Sequence, residues 1–176
     1  FWPMDQSADG WTDDWQRRDA LDAIKAGNVS SEYGTASTNW SNMYKAITRV
    51  LVVIEKLEAQ DVLTADDTKL FKAEANFLRA SYWSYLISHY GDVPFYEEEL
   101  TVEESFEIGR TNKDEILQRI YAYYDDAALN LPVSYGGLKY ATKGAAYAMK
   151  ARIALYMGDH ATAAEAAEDC MDLGEY

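Results

Sequence analysis

The residues of this chain that could do chemistry are adjacent carboxylates, two isolated histidines, and aromatics lying outside any helical stripe. Asp13-Asp14, Asp66-Asp67 and Glu97-Glu98-Glu99 would serve glycoside hydrolysis only if two carboxyls faced each other across a cleft with separated pKa values. Neighbouring positions on a helix start or a solvated loop do not arrange that, and charges so placed serve helix caps and solubility. His89 lies on the Tyr82/Tyr85 side of its helix and reads as a packed histidine rather than a base or ligand. The one cysteine, Cys170, cannot make an intrachain disulfide or a cysteine-based metal site. No nucleophile elbow, phosphate-binding glycine loop, HExxH or EF-hand loop is present. No catalytic residue, metal ligand or cofactor is therefore expected. The remaining aromatics are the informative ones: Trp11, Trp15 and Tyr33 in or beside the N-terminal loop region, Trp40 with Asn39 beside it at the head of a helix stripe, and Tyr135 and Tyr140 on either side of Gly136-Gly137.

Bulk properties narrow the classes. The 176 residues carry a formal charge of −14, a sign that repels phosphate backbones and argues against nucleic-acid binding. No apolar run approaches the roughly 18–20 residues of a membrane-spanning helix. A 48% hydrophobic content with 14 Tyr, 5 Trp and 5 Phe supports a packed core rather than disorder. The chain begins at Phe1 with no initiator Met and no basic or apolar leader, so an export signal or lipid-bearing cysteine would lie outside it, and both ends read as cuts in a longer protein.

The elements that must position these residues are helices. From Trp40 the set Met43, Tyr44, Ile47, Val50, Leu51, Ile54 and Leu57 recurs at spacings of three and four, one stripe of a helix capped by Ser37, Thr38 or Asn39. Thr64 with Asp67 opens a second helix toward Tyr90 whose two apolar faces, one with Phe71, Leu78 and Tyr82 and one with Ala73 and Phe77, imply neighbours on both sides. Gly91-Asp92-Val93-Pro94 stops it. Residues 97–107 hold six Glu and no base and read as a solvated extended loop. Asn112 with Glu115 caps a third helix ending before Pro132, Thr142 starts a fourth ending at Met157, and Asp159 or Thr162 a fifth ending near Gly174. Arg79 and Arg152, inside apolar helices, must be paired, with Glu74 an acid for Arg79 only through a neighbouring helix. Residues 28–39 read as loop after a weak helical pattern to Gly27. Residues 146–171 resemble one degenerate tetratricopeptide repeat, with Ala151 at the small position, Leu155 in its first helix and Gly158-Asp159 at the turn. The expected architecture is all-α: a loop-rich segment over 1–39, then antiparallel helix pairs stacked as a tetratricopeptide-like scaffold with long loops over 40–176.

Four segments in order carry a family resemblance. They are Trp40-x-x-x-Tyr44-x-x-Ile47; Ala73-Glu74-Ala75-Asn76-Phe77-Leu78-Arg79-Ala80 continuing to Gly91-Asp92-Val93-Pro94; Arg110-Thr111-Asn112-Lys113-Asp114-Glu115 leading to Asn130-Leu131-Pro132; and Thr142-Lys143-Gly144-Ala145-Ala146 leading to Ala151-Arg152-Ile153-Ala154-Leu155-Tyr156. Together they resemble the SusD/RagB family of outer-membrane glycan-binding lipoproteins. One departure is Arg49-Val50-Leu51, where the family pattern has an Asn shortly after the helix start. The resemblance implies the N-terminal part of one longer SusD-like helical domain. It also implies a non-enzymatic protein on the extracellular face of the outer membrane of a Bacteroidota-type cell, anchored through a lipid outside this chain. Such a protein binds an oligosaccharide or polysaccharide and delivers it to a SusC-like TonB-dependent transporter.

Sugar recognition needs flat apolar faces for the ring C–H groups and short polar groups for the hydroxyls. On that reading Trp11, Tyr33, Asn39 and Trp40 are the candidate ligand contacts. The alternatives are a tetratricopeptide-type scaffold that grips a protein partner, resting on residues 146–171, and, third, a glycoside hydrolase.

Overall fold

Six helices and no β-strand occur among the described residues of the computed structural model, which are 23–30, 32–137 and 140–175. The chain divides into two compact units, residues 1–42 and 43–176. In the first unit, Gly27 N–H bonds Ile24 O at 3.1 Å and Asn28 N–H bonds Ala23 O at 3.0 Å, the hydrogen-bond pair that closes a helical turn at a glycine. The expected stop at Gly27 is thus present, while Trp11, Trp15 and Leu21 lie outside the described residues. Helix α1 (Gly34–Ala59) starts six residues earlier than the stripe from Trp40 indicates. Ser, Thr and Asn are only mildly unfavourable in a helix, and once the apolar stripe nucleates it each added residue gains a hydrogen bond. The loop expected over 28–39 therefore shrinks to the residues before Gly34.

In the second unit the stripe of α1 is buried as its spacing requires: Met43, Ile47, Val50, Leu51 and Ile54. Val50 and Ile54 pack with Ala75 and Tyr82 of α2 (Ala65–Tyr90). Between them, Gln60 organises the turn: its Oε1 accepts from the N–H of Val62 and of Leu63, each at 2.8 Å. Thr64 then caps α2, accepting from Asp67 N–H at 3.1 Å. At the far end Gly91 adopts φ 70° and ψ −129°, open only to a residue without Cβ, and Pro94 keeps the helix from resuming.

The chain next makes a short helix, α3 (Val102–Glu107), where the acidic run was expected to be extended. Thr101 and Glu104 form a reciprocal capping box, with Thr101 N–H bonding Glu104 Oε2 at 2.9 Å and Glu104 N–H bonding Thr101 Oγ1 at 3.2 Å. Acidic side chains in the first turn complement the helix dipole, so the composition that suggested a loop also favours a helix start. Helix α4 (Lys113–Asn130) is capped by Asn112, whose Oδ1 accepts from Asp114 N–H at 2.8 Å instead of forming the expected box with Glu115.

Helix α4 packs along α2, and the hairpin of α5 (Lys143–Met157) and α6 (His160–Asp172) packs on α4. Tyr121 OH donates to Asp159 Oδ2 at 3.3 Å, tying α4 to the hairpin turn, where Gly158 takes the left-handed conformation. The hairpin buries Ala146, Ala154, Ala163 and Ala166, the close approach that small residues permit. Leu155, in the first helix of the repeat, is 60% exposed, and Arg152 is exposed rather than buried and paired. The buried stripe of α5 runs through Ala146, Ile153 and Ala154, which turns Leu155 outward. The result is an all-α stack of antiparallel helix pairs of tetratricopeptide type.

Three aromatic rings converge on Trp83. It is fully buried, with Phe95 at 4.7 Å, Tyr96 at 5.7 Å and Tyr44 at 5.8 Å between ring centroids, the last two edge-on, the arrangement aromatic quadrupoles favour. Its indole nitrogen has no acceptor among the described residues, so packing alone holds the ring. Trp83→Ala is expected to cost about 3–5 kcal/mol, read as a lower midpoint in urea denaturation of the full-length protein.

Candidate functional site

Of the residues singled out for ligand contact, Trp11 lies outside the described residues. Tyr33 precedes α1 and its carbonyl accepts from Ala36 N–H at 3.1 Å and Ser37 N–H at 3.3 Å, opening the helix. Asn39 and Trp40 follow in the second turn of α1, Asn39 at 8% exposure and Trp40 half-buried. The helix start thus gathers Tyr33, Asn39 and Trp40 within two turns.

In the second unit the segment after Pro94 is fixed residue by residue. Pro94 O accepts from Tyr44 OH at 2.7 Å. Phe95 and Tyr96 lie against Trp83, and Tyr96 also stacks on Tyr44 at 6.1 Å with 22° between planes. Glu97 accepts from Tyr123 OH and from Arg119 through both Nε and Nη2, a forked charge-assisted contact. Upstream of Pro94, the two family-like segments dock on each other: Thr111 N–H bonds Val93 O at 2.9 Å, Lys113 N–H bonds Asp92 Oδ1 at 2.9 Å and Arg110 Nη1 donates to Asp92 O at 2.7 Å.

Beneath Glu97 sits Arg79, which stacks over the Tyr123 ring at 3.7 Å and donates to Asn76 Oδ1 at 2.7 Å; Asn76 in turn donates to Asp126 Oδ2 at 2.6 Å. Burial lowers the pKa of Arg79, and the nearby carboxylates of Glu97 and Asp126 counter it. The acid partner expected for Arg79 is not found: among the described residues it makes no ion pair, its buried Nε has no acceptor, and its partners are Asn76 and the Tyr123 ring, while Glu74 accepts from Tyr135 OH instead. Residues 76 and 79 share a helix face, whereas 74 and 79 do not.

Once anchored, residues 97–101 run beside Leu51, Ile54, Glu55 and Glu58 of α1, leaving an open cleft of about 620 Å³. Its lining glutamates, Glu55, Glu58, Glu97, Glu98 and Glu99, disfavour anions. Burial raises the Glu97 pKa, but the hydrogen bonds from Arg119 and Tyr123 outweigh it and hold the carboxyl below its ordinary range. The Glu58 carboxyl is likewise held low, chiefly by its hydrogen bond from Lys72. A glycosidase acid needs the opposite shift. His89, for its part, stacks on Tyr85 at 4.0 Å, and its Nδ1 lies 2.9 Å from Tyr85 O, to which only a protonated Nδ1 can donate, and 2.9 Å from Ser88 Oγ, although the residue is exposed to solvent.

Glu97, Arg119, Tyr123 and Trp83 were not read from the sequence as organising residues. One signal was available: Arg119 and Tyr123 are four apart on α4 and so share a face. The folded pKa of Glu97 lies below its unfolded value, so the unfolded state binds more protons between the two and the contribution of Glu97 to stability falls as pH drops through that window. Glu97→Gln should cost on the order of 1 kcal/mol near pH 7, after discounting for the solvent exposure of the pair. That difference should shrink below 4.5, the ordinary value for this carboxyl, in urea denaturation of both proteins across a pH series.

Comparison with known proteins places this arrangement. A family model described as SusD-like, starch-binding and associating with the outer membrane matches residues 5–155. A SusD-like protein of Formosa agariphila is 28% identical over 108 residues, covering 61% of this chain and 20% of that protein. Among solved structures, a SusD-like protein of Bacteroides fragilis superposes with a TM-score of 0.81 at 26% identity, covering 90% of this chain and 31% of the other. A SusD-like carbohydrate-binding protein, also from Bacteroides fragilis, gives 0.80 at 28% identity, covering 90% and 32%. The chain therefore spans a fifth to a third of the length of these relatives. With the family model matched over most of its residues and the same helical scaffold in its solved relatives, this chain belongs to the SusD-like family.

Proposed function

We propose that the full-length protein binds a soluble oligosaccharide or polysaccharide at the extracellular face of the outer membrane and delivers it to a SusC-like TonB-dependent transporter, without chemically altering the sugar. The observation that carries this reading is the family match over residues 5–155, whose description names both starch binding and the outer membrane. The site geometry agrees with it: the cleft carboxylates Glu58 and Glu97 are held ionised, a poor arrangement for a proton-donating acid. Attachment would be through a lipid on a segment outside these 176 residues. No described helix is long and apolar enough to cross a membrane. Within this reading Trp11, Tyr33, Asn39 and Trp40 are the ligand contacts nearest the N-terminus.

The test is isothermal titration of the full-length protein, and of its Trp11→Ala and Tyr33→Ala variants, against maltooligosaccharides, laminarin and a panel of plant and marine polysaccharides. The expected result is binding to at least one glycan without release of shorter products, weakened about tenfold by each substitution. Absence of binding across the panel contradicts the sugar reading. Binding that neither substitution weakens contradicts only the choice of these residues.

A further inference from the structure

The scaffold consumes most of its tyrosines. In the second unit Tyr44, Tyr121, Tyr123 and Tyr124 are buried or half-buried, and their hydroxyls bond Pro94 O, Asp159, Glu97 and Ser81. Tyr135 and Tyr140 are used differently. Gly136 and Gly137, with φ of 62° and 99°, turn the chain directly after Tyr135 in a way that L side chains rarely allow. The two rings stand 5.3 Å apart with 58° between their planes. Tyr135 is half-buried, and its hydroxyl donates to Glu74 Oε1 on α2 at 3.1 Å, which fixes its ring. Tyr140 is 58% exposed.

Glu74 lies on the same helical stripe as Phe71 and Leu78, three and four residues away, and both of these are 41% exposed. Its second oxygen accepts no hydrogen bond from any described residue. The surface therefore offers an open aromatic face, a second ring tilted against it, a carboxylate oxygen with spare lone pairs and an apolar shoulder. Core packing does not need this combination, because a ring left open to water gives up the burial that makes an aromatic stabilising. It does match a pyranose, which presents a flat C–H face and hydroxyls around its rim.

We propose that Tyr135, Tyr140 and Glu74 form a second sugar-contacting platform, additional to the N-terminal candidates, that takes one neutral hexopyranose unit of a glycan chain. The Tyr140 ring covers the C–H face, Tyr135 bounds the edge, and Glu74 accepts from a hydroxyl. Uronic or sulfated sugars are disfavoured, because a carboxylate faces the ligand on a chain of formal charge −14. The proposal rests on the glycan-binding reading above.

The experiment is titration of the full-length protein with whichever of the maltooligosaccharides, laminarin oligosaccharides or polysaccharides it binds, alongside Tyr140→Ala, Tyr140→Phe and Glu74→Gln. Tyr140→Ala should weaken binding about tenfold and Tyr140→Phe, which keeps the ring, less than about twofold. Glu74→Gln should weaken binding several-fold, with the melting temperature of the Tyr140 variants unchanged. If the wild type binds a glycan and Tyr140→Ala binds it equally well, the platform is wrong while the sugar reading stands. The platform is equally wrong if Tyr140→Ala lowers only the melting temperature. If the wild type binds no glycan, the sugar reading itself falls and the platform with it.

Discussion

Burial of the Trp83 indole is the constraint on which the second unit depends. A ring of that size in mid-helix can be covered only if chain from elsewhere is laid over it, and the residues that do so are Tyr44 of α1 and the pair Phe95-Tyr96 just after the helix stop. Gly91 and Pro94 matter because they turn the chain back across Trp83 rather than away from it. With Phe95 and Tyr96 seated, Glu97 falls within reach of Arg119 and Tyr123 on α4, and the following residues are carried alongside α1. One packing requirement thus fixes an otherwise irregular segment that makes contact with three helices.

The same packing divides the aromatics into two populations. Those on buried stripes hold helices together, and their hydroxyls are satisfied by carbonyls, carboxylates or serine. Those off the stripes are left to face other tasks. The acidic residues divide similarly: Asp67, Glu104 and Asp159 complete helix starts, and Glu58 and Glu97 pair with cations. A large negative charge is thereby accommodated through caps and pairs, and the net sign disfavours phosphate-bearing partners.

Periodicity made the helical class legible, because the stripes of α1 and α4 repeat at three and four and because Thr64, Thr142 and Asp159 stand where caps are needed. It misjudged places where local composition and tertiary context disagree. The Ser, Thr and Asn of residues 35–39 look like loop yet extend α1, and the glutamates after Thr101 look solvated yet start α3. The Glu97 cluster was hidden for a different reason: its members come from three separated stretches of chain, and no one-dimensional pattern shows that Arg79, Glu97 and Tyr123 converge. Tyr135 and Tyr140 were visible as aromatics off the stripes, but only the fold shows that one is pinned to Glu74 and the other left open.

Under the proposed function, the aromatics released from core packing are the ones that meet the sugar. A crystal structure of the full-length protein grown with a bound oligosaccharide tests it most directly. The expected result is a pyranose ring in van der Waals contact, about 4 Å, with the face of an off-stripe aromatic such as Tyr140 or Trp11. A sugar held instead along the acidic cleft of residues 97–101, touching none of these rings, would contradict it.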